Sequence, residues 1–394
     1  MAEPGVPGPT PTTAPTVAVI GGGQLARMLA EPAAALAVPL RLLAEGPDVS
    51  AAQVIGDHRV GDHRDLDDLR AVTAGCAVVT FDHEHVPTEH LHALAADGIA
   101  VRPGPDALVH AQDKAVMRRR LTELGVPCPR HAVVATRDDV AGFGLPCVLK
   151  TTRGGYDGKG VWVVRALDEA DAAFAAAHAA GVEVLAEELV DFARELSAIV
   201  ARSPSGQAAA YPVVETVQRD GVCHEVTAPA PDLAPDLAAH AQEIALRVAG
   251  ELGVVGLLAV ELFETSDGRV LVNELAMRPH NTGHWTQDGA VTSQFENHLR
   301  AVLDLPLGSP APRARWTVMV NILGGAHDAG RLYDGYPHAL ARDPGLRVHL
   351  YGKALRPGRK VGHVNVYGDD LDECRERARH AAAWFAGDLG DESE

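Results

Sequence analysis

Two acidic residues, Glu261 and Glu274, stand on either side of a predicted hairpin turn. The flanking runs, 256–265 and 270–276, have the composition of strands, and the turn contains Asp267-Gly268, a pair in which both residues tolerate positive φ. A turn centred between those two residues places the two carboxylates directly opposite each other, where like charges destabilise a sheet. Because hard divalent cations prefer carboxylate oxygens, the pair predicts a metal site. The alternative is two solvated acids, which requires their apolar neighbours on the same strand face to be exposed as well.

A glycine-rich segment follows a predicted strand that ends at Lys150. Four of the seven residues from 154 to 160 are glycine, and Lys159 adds a second positive charge. Glycine lets backbone N–H groups approach phosphate oxygens closely, and lysine supplies the opposite charge. The spacing is not that of the Walker pattern, so the segment predicts a phosphate-binding loop of another kind. The alternative is a flexible hairpin turn with an exposed lysine.

Thirteen consecutive residues, 273–285, contain almost every kind of polar side chain directly after the second strand of the hairpin. Arg278, His280 and Asn281 are among them, and Pro279 and Gly283 restrict the loop that carries them. Such a density of polar chemistry beside a strand end is typical of a functional loop.

Two other charged groups have open interpretations. Glu187, Glu188 and Glu195 lie near predicted strand ends and form either a solvated rim or, with the apolar Leu189 and Val190, the edge that holds an adenine and its ribose. The second group is a basic cluster near the end of the chain, which indicates a phosphorylated substrate or else a rim of salt bridges. Its members are Lys353, Arg356, Arg359, Lys360 and His363.

The segment Gly21–Ala26 follows a short buried strand and opens a helix, and Glu45 lies about twenty residues further on. This arrangement matches the dinucleotide fingerprint and favours a nicotinamide-dependent oxidoreductase as a rival function. The same turn serves any ligand whose anionic group meets a helix N-terminus, and it can also be purely structural.

The string His83-Glu84-His85 suggests metal ligands, but Pro87 stands where the zinc-protease helix pattern requires histidine. We therefore expect no zinc here. Asp82 and Glu84 are better interpreted as substrate contacts, because ligands of α/β proteins bind at the carboxyl ends of the strands.

Composition excludes several classes of function. The chain has 35 basic and 53 acidic side chains, a net charge of −18, which argues against nucleic acid or a membrane as a partner. Five scattered cysteines without a CxxC pair indicate reduced thiols in a cytoplasmic protein. Residues 1–15 lack the basic start and apolar core of a signal peptide, so we expect a disordered tail. No stretch approaches the roughly 20 apolar residues that cross a bilayer.

Taken in order, these segments resemble the ATP-grasp superfamily and, within it, the N5-carboxyaminoimidazole ribonucleotide synthase family. The resemblance covers about residues 17–370 and rests on GGGQLARML, GGYDGKG, NELAMRPHNTGHWTQDGAVTSQFENHLRA and RPGRKVGHVNVYG. Alternating strands and helices in the first part already indicate a parallel sheet. The fold class implied is mixed α/β and α+β. It comprises an N-terminal Rossmann-like domain at 16–110, an ATP-grasp domain at 111–308 with its lid at 125–192, and a C-terminal α+β substrate-binding domain at 313–386.

The resemblance implies a role at each matching position. The implied ATP-binding residues are Lys114, Lys150, Gly155, Tyr156, Asp157, Gly158, Lys159, Gly160, Val161, Glu187, Glu188, Leu189, Val190, Glu195, Asn273 and Glu274. The implied ligands of magnesium, with manganese as an alternative, are Glu261 and Glu274. The implied substrate-binding residues are Glu84, Tyr156, Asp157, Arg278, His280, Asn281, Lys353, Arg359 and Lys360, of which Arg278, His280 and Asn281 are also implied to be catalytic. Two departures are Lys114, where some relatives carry arginine, and Gln218, where some carry histidine.

The reaction implied by the resemblance joins bicarbonate to 5-aminoimidazole ribonucleotide at the expense of ATP in purine biosynthesis. It yields the N5-carboxy product, ADP and phosphate. The family also implies a cytoplasmic homodimer. The alternatives are another ATP-grasp ligase that acts on a ribonucleotide, a nicotinamide-dependent oxidoreductase, and a nucleotide-binding regulator without catalytic activity.

Overall fold

The computed structural model describes residues 14–155, 158–219, 221–325 and 332–389. In the first part of the chain, five parallel strands form a sheet in the order β3-β2-β1-β4-β5, which confirms the predicted parallel sheet. The strands are β1 Val17–Ile20, β2 Leu40–Ala44, β3 His58–Val60, β4 Val78–Phe81 and β5 Ala100–Val101. The helices are α1 Gln24–Ala35, α2 Leu66–Thr73, α3 Thr88–Ala96 and α4 Pro105–Gln112. Most of the predicted tail lies outside the described residues.

Strands β1 and β4 are buried along their whole length, as expected for apolar strands covered by helices on both faces of a sheet. Both strands end at the same edge of the sheet. The glycine turn that starts at Gly21 and the polar run that starts at Asp82 therefore lie side by side.

A small antiparallel sheet, in the order β6-β9-β7-β8, follows the first domain. Its elements are α5 Lys114–Glu123, β6 His131–Val134, α6 Arg137–Phe143, β7 Cys147–Thr151, β8 Val161–Val164, α7 Ala170–Ala180 and β9 Val184–Glu188. A core of mostly alanine, valine and leucine joins α7 to this sheet. Strand β7 carries Lys150 and its neighbour β9 carries Glu187, so these two side chains come from paired strands.

The largest sheet has nine antiparallel strands, with β15 at one edge and β14 next to it. Its first strands are β10 Phe192–Arg202, β11 Ala208–Ala210, β12 Val214–Arg219, β13 Val222–Ala228, β14 Gly256–Thr265 and β15 Val270–Ala276. The neighbouring helices are α8 Pro235–Glu251, α9 Thr286–Gly289 and α10 Gln294–Val302. One face of the β14–β15 hairpin packs into the main apolar core through Leu258, Val260 and Leu262. The acidic residues therefore lie on the other face.

The last part of the chain extends this sheet, because β16 pairs with β13 of the central part. Its elements are β16 Trp316–Leu323, α11 Tyr336–Arg342, β17 Arg347–Leu350, β18 Lys360–Gly368 and α12 Leu371–Ala386. Helix α12 covers β16 and β18 through an apolar core that includes Val320, Val364 and Phe385. The segment 313–386 thus contributes strands to the same sheet as the acidic pair. Within the described residues, no helix is long and apolar enough to cross a membrane.

Candidate active site

Glu261 and Glu274 are direct partners across β14 and β15, which confirms their predicted pairing. The predicted centre of the turn is wrong, because Glu264 pairs with Val270 and the turn is therefore centred on Asp267. Of the Asp-Gly pair, Gly268 has the positive φ, at 81°. A register shift between Glu261 and Leu262 then restores the pairing. The carboxylates face each other because of a β-bulge in the second strand.

The acidic pair lies in a charged, partly enclosed environment. Burial, Glu274 and Glu195 together raise the pKa of Glu261 to about 7. Lys114 Nζ lies 2.5 Å from Glu274 Oε1, and His280 Nε2 lies 3.3 Å from Glu261 Oε1. Three carboxylates, those of Glu195, Glu261 and Glu274, thus lie on one face with Lys114 bonded to one of them. Carboxylate oxygens grouped in this way are the ligands that Mg²⁺ and Mn²⁺ prefer.

His280 is held in one tautomer by its neighbours. Its Nδ1 accepts from the backbone N–H of Thr282 at 3.4 Å and contacts the Thr282 hydroxyl at 2.9 Å. Nε2 then carries the proton and points it at Glu261. Burial, followed by the charges of Arg278 and Lys360, keeps the pKa of His280 well below its ordinary value, so the ring is neutral. Sequence reasoning missed Thr282, which also accepts or donates a 2.8 Å hydrogen bond with buried Ser197.

Lys150 reaches the same region from the small sheet. Its Nζ lies 2.7 Å from Glu187 Oε2 and donates to Asn273 Oδ1 at 3.2 Å. Glu187, predicted to frame an adenine, is almost fully buried and directs its side chain to Lys150 and to Arg118. Sequence reasoning also missed Arg118. Its signal was available, because a basic residue four positions after Lys114 lies on the same face of helix α5.

The glycine-rich segment has the backbone geometry that only glycine adopts easily. Gly154, Gly158 and Gly160 have positive φ values of 78°, 76° and 73°. A Cβ at Gly155 would lie 2.8 Å from the Lys159 carbonyl oxygen, so the chain turns back on itself closely. Tyr156 and Asp157, predicted for both ATP and substrate, lie outside the described residues. Val161, which ends the predicted loop, begins strand β8 and is 38% exposed.

A cleft of about 410 Å³ opens beside the predicted adenine segment. Glu188, Leu189 and Val190 line one side, and the β14–β15 turn lines the other. Glu195 lies on β10 two residues before Ser197, the direct partner of Glu261. Its side chain therefore shares the face of the acidic pair, and burial raises its pKa.

The polar loop after β15 meets the first domain through a salt bridge. Arg278 Nε donates to Glu84 Oε2 at 2.6 Å, and the Met277 N–H donates to Glu84 Oε1 at 3.2 Å. Two predicted substrate contacts are thus paired with each other. Both side-chain amide atoms of Asn281 are buried, and neither has a hydrogen-bond partner within the described residues. A side-chain amide of this kind can donate two hydrogen bonds and accept two.

The predicted basic cluster contains charged residues near the site and one buried, uncharged histidine. Lys353 donates to Gln24 Oε1 and lies 5.8 Å from the centre of the Tyr351 ring, and Lys360 is close enough to lower the pKa of both Glu261 and His280. Arg359 donates to the Ala354 carbonyl at 3.2 Å. His363 does not add charge to the basic cluster, contrary to the prediction, because it is fully buried against Tyr351 and this burial holds its pKa well below the ordinary value.

The glycine turn at the start of α1 already holds acidic groups of this chain. Asp82 accepts from the N–H groups of Gly23 and Ala26 at 3.1 and 2.7 Å, and Glu45 accepts from Gly22 at 3.0 Å. A pyrophosphate at this turn would have to displace both carboxylates. The geometry therefore opposes the rival dinucleotide interpretation.

Glu45, His63 and His83 bring their ligand atoms within 4.8 Å of one another. His83 Nδ1, however, accepts from the His85 N–H at 3.2 Å, so Nε2 carries the ring proton and faces Glu45 at 3.6 Å. A histidine that binds a metal usually donates, rather than accepts, through its other ring nitrogen. The facing imidazole lowers the pKa of Glu45 to about 2, which is the behaviour of a carboxylate beside a hydrogen-bond donor.

Three family models match consecutive parts of the chain. The ribonucleotide synthetase preATP-grasp domain matches residues 14–112, and the ATP-grasp domain matches residues 119–295. The phosphoribosylaminoimidazole carboxylase C-terminal domain matches residues 317–377.

Individual relatives match along almost the whole chain. The N5-carboxyaminoimidazole ribonucleotide synthase of Mycobacterium tuberculosis is 58% identical over 387 residues, which covers 96% of this chain and 90% of the relative. The enzyme of the same name from Corynebacterium ammoniagenes is 51% identical over 377 residues, covering 93% and 91%. The crystal structure of N5-carboxyaminoimidazole synthase from Aspergillus clavatus with ADP and 5-aminoimidazole ribonucleotide has a TM-score of 0.86 at 32% identity, covering 95% of this chain and 99% of that one.

Proposed function

The chain belongs to the N5-carboxyaminoimidazole ribonucleotide synthases of the ATP-grasp superfamily, and we propose how its residues carry out the family reaction. That reaction is the ATP-dependent conversion of 5-aminoimidazole ribonucleotide to N5-carboxyaminoimidazole ribonucleotide in purine biosynthesis. The observation that carries the proposal is the carboxylate pair Glu261 and Glu274, with Lys114, Lys150 and His280 around it.

ATP lies, in this proposal, between the small sheet and the large one. The adenine occupies the cleft at Glu188–Val190, Glu195 binds the ribose, and Lys114 and Lys150 contact the phosphates. The further phosphate contacts come from the loop residues Gly155, Tyr156, Asp157, Gly158, Lys159, Gly160 and Val161. Lys114 would exchange its bond to Glu274 for a phosphate oxygen. Glu187 acts through Lys150, because both of its oxygens are already bonded.

Glu261 and Glu274 are the residues that would hold magnesium or manganese, with Asn273 beside them. When bound, the cation supplies positive charge that offsets the charge moving across the phosphates. The two lysines contribute in the same way, and this neutralisation is most of what phosphoryl transfer requires.

Bicarbonate is the proposed source of the carboxyl group. One of its oxygens attacks the γ-phosphorus, the bond to the bridging oxygen of ADP breaks, and carboxyphosphate forms. The exocyclic amine of 5-aminoimidazole ribonucleotide then attacks the carboxyl carbon, or carbon dioxide released from it. Phosphate leaves and the amine loses a proton. A closed glycine loop would keep water from hydrolysing carboxyphosphate.

Arg278 is suited to hold bicarbonate, because a guanidinium binds carboxylate-like groups through two parallel N–H donors. His280 is neutral with its proton on Nε2, so its role is to orient the substrate and the Glu261 carboxylate rather than to add charge. The unpartnered amide of Asn281 supplies a further donor and acceptor.

The ribonucleotide is proposed to bind between the first and last parts of the chain. Its amine end lies near Glu84, Tyr156 and Asp157. Its 5′-phosphate lies near Lys353, Arg359 and Lys360. The contact of Lys353 with Gln24 supports this position, because it joins the last strands to the glycine turn of the first domain.

Three further properties are also proposed. The domain limits are 16–110, 111–308 with a lid at 125–192, and 313–386. The first sheet, which lies within 16–110, and the small sheet, which lies within the lid, support the first two of these limits, while the large sheet spans the third. The resemblance to the family supports a homodimer. A cytoplasmic location is supported by five cysteines that form no disulfide.

The deciding experiment measures ADP release with bicarbonate and 5-aminoimidazole ribonucleotide each present or absent, and detects the carboxylated product. The proposal expects rapid ADP release only when both are present. Equal ADP release with formate in place of bicarbonate would indicate a different ATP-grasp ligase. Nucleotide binding without turnover under every condition would indicate a regulator.

A further inference from the structure

Arg118 is a fully buried cation on helix α5, one turn after Lys114. A buried guanidinium needs acceptors for its N–H groups, and here it has three. Nε donates to Glu187 Oε1 at 2.5 Å, Nη1 donates to the Val272 carbonyl at 2.9 Å, and Nη2 donates to the Asn273 carbonyl at 2.7 Å. Two of these acceptors are backbone groups of strand β15, beside the proposed cation site.

The two carbonyls belong to the bulge that aligns the acidic pair. From the turn to Leu262, β14 and β15 are paired in one register. From Glu261 onwards, each residue of β14 pairs with a residue of β15 that is one position further along the chain. Without the bulge, Asn273 would face Glu261, and Glu274 would point to the opposite face of the sheet, into the apolar core. The bulge is therefore the local feature that makes a two-carboxylate site.

Among the residues that the structure describes, β15 is the edge strand of the large sheet, so its outer backbone groups have no neighbouring strand there to pair with. Arg118 supplies donors to the carbonyls of Val272 and Asn273, and the Pro127 carbonyl accepts from the Val272 N–H at 2.8 Å. Arg118 thus satisfies the backbone of the bulge from the side opposite to β14.

The same guanidinium also fixes the phosphate lysine. Burial alone would raise the pKa of Glu187, but the charges of Arg118 and Lys150 lower it to about 2, so the carboxylate is ionised between the two cations. Lys150 in turn bonds to the side chain of Asn273. The contacts form a closed ring from Arg118 through Glu187, Lys150 and Asn273 back to Arg118.

We propose that Arg118 is a positioning residue for the nucleotide and cation site. It sets the bulge that turns Glu274 towards Glu261, and it orients Lys150 through Glu187. The inference rests on the proposed roles of Glu261, Glu274 and Lys150. Lysine cannot replace Arg118, because three acceptors in different directions need the planar fork of a guanidinium, not a single ammonium group.

The test uses Mn²⁺ as the cation probe and measures its binding to the full chain with ADP by electron paramagnetic resonance. R118K keeps the charge, so we expect it to fold, to bind Mn²⁺–ADP at least tenfold more weakly, and to keep the KM for 5-aminoimidazole ribonucleotide within twofold. The double variant R118M/E187Q removes both buried charges together. It should fold without leaving a buried ion unpaired, and it should show the same loss of Mn²⁺–ADP affinity as R118K.

A matched control is R379K. Arg379 donates to the buried Glu225 through Nε at 2.6 Å and Nη2 at 3.0 Å. Glu225 lies on β13, which several other strands of the large sheet separate from the acidic pair. This variant should lose stability but bind Mn²⁺–ADP as the wild type does. Wild-type affinity in R118K, or an equal loss in R379K, overturns the positioning role.

A parallel measurement on E274Q separates this inference from the proposal beneath it. Weak Mn²⁺ binding in E274Q together with normal binding in R118K overturns the role of Arg118 alone. Normal binding in E274Q overturns the cation site itself, and the role of Arg118 with it.

Discussion

Lys114 and Glu274 form a 2.5 Å ion pair in which the lysine is the more buried partner. A lysine predicted to bind phosphates thus neutralises a carboxylate predicted to bind a cation. The arrival of nucleotide and cation together would let each side chain exchange its partner for a ligand of the same charge. When the substrate complex forms, we therefore expect Lys114 to bind the nucleotide and Glu274 to bind the cation, so that neither side chain is left without a partner.

Glu274→Gln should lower turnover by about a hundredfold or more, because it removes one of two carboxylates from a site where charge is neutralised during phosphoryl transfer. The fold should remain, since the change also relieves the repulsion from Glu261. Initial rates of ADP formation over a range of Mg²⁺ concentrations, with a thermal melt of each variant, provide the check. Near-normal ADP formation would refute the metal role of the pair.

Lys353→Ala and Arg359→Ala should each raise the KM for 5-aminoimidazole ribonucleotide by about ten- to a hundredfold and change the KM for ATP much less. A charge-assisted contact to the 5′-phosphate contributes about 1.5–3 kcal/mol, which corresponds to that range. Arg356→Ala is the matched control, because this neighbouring arginine is exposed and is not assigned to the substrate. A loss confined to the ATP affinity would show that the two substrates occupy each other's proposed sites.

His298→Gln should weaken the pH dependence of stability. Burial lowers the pKa of His298 to about 3, and in the unfolded chain it returns to about 6.5. Because the neutral ring is favoured on folding, this histidine's contribution is complete above the unfolded pKa and is lost as the pH falls towards the folded pKa. Between about pH 4.5 and 6, the variant's free energy of unfolding should rise with pH less steeply than that of the wild type, by about 1.4 kcal/mol per pH unit.

Urea titrations at several pH values measure this slope directly. The control is His240→Gln, whose side chain is 50% exposed on helix α8 and should leave the slope unchanged. An unchanged slope in the His298 variant would mean that the buried ring, which contacts the Thr80 hydroxyl at 2.8 Å, is protonated in the folded chain.

The sequence predicted features that depend on neighbouring residues and missed those that depend on distant ones. The hairpin follows from two strand-like runs around an Asp-Gly turn, which are local features, whereas the facing of its two carboxylates also requires the bulge. At the bulge, the Asn273 carbonyl accepts from Arg118, which is 155 positions away in the chain. Likewise, nothing next to Gly23 indicates that Asp82 accepts its N–H.

His363 shows the same limit when the charge of a side chain is predicted from its neighbours in the sequence. In the sequence it stands among arginines and lysines, which predicts a basic cluster. In the structure, a register shift in β18 leaves Lys360 and His363 on the same face of the strand, where Lys360 is partly buried near the site and His363 is fully buried against Tyr351. The burial of each residue is decided by the sheet that the strand joins, and β18 pairs with β16 and β17.

The final prediction concerns the glycine loop. Gly158 has a φ of 76°, a conformation that a β-branched residue adopts only under strain, so Gly158→Val should hinder closure of the loop over the phosphates. If the loop protects carboxyphosphate from water, the variant should form more ADP per carboxylated product than the wild type. Coupled assays of ADP and of the carboxylated product give this ratio. Hydrogen exchange at Gly155, Gly158 and Gly160 should also slow in the wild type when a non-hydrolysable ATP analogue is added.

The matched control is Gly206→Val, since Gly206 has a φ of 87° and a Cβ added there would have no other atom within 4 Å. It introduces the same backbone strain away from the site and should leave the ratio of ADP to product unchanged. A proportional loss of ADP and product in Gly158→Val would mean that the loop positions the phosphates without protecting the intermediate. Exchange that does not respond to the analogue would contradict nucleotide binding by the loop.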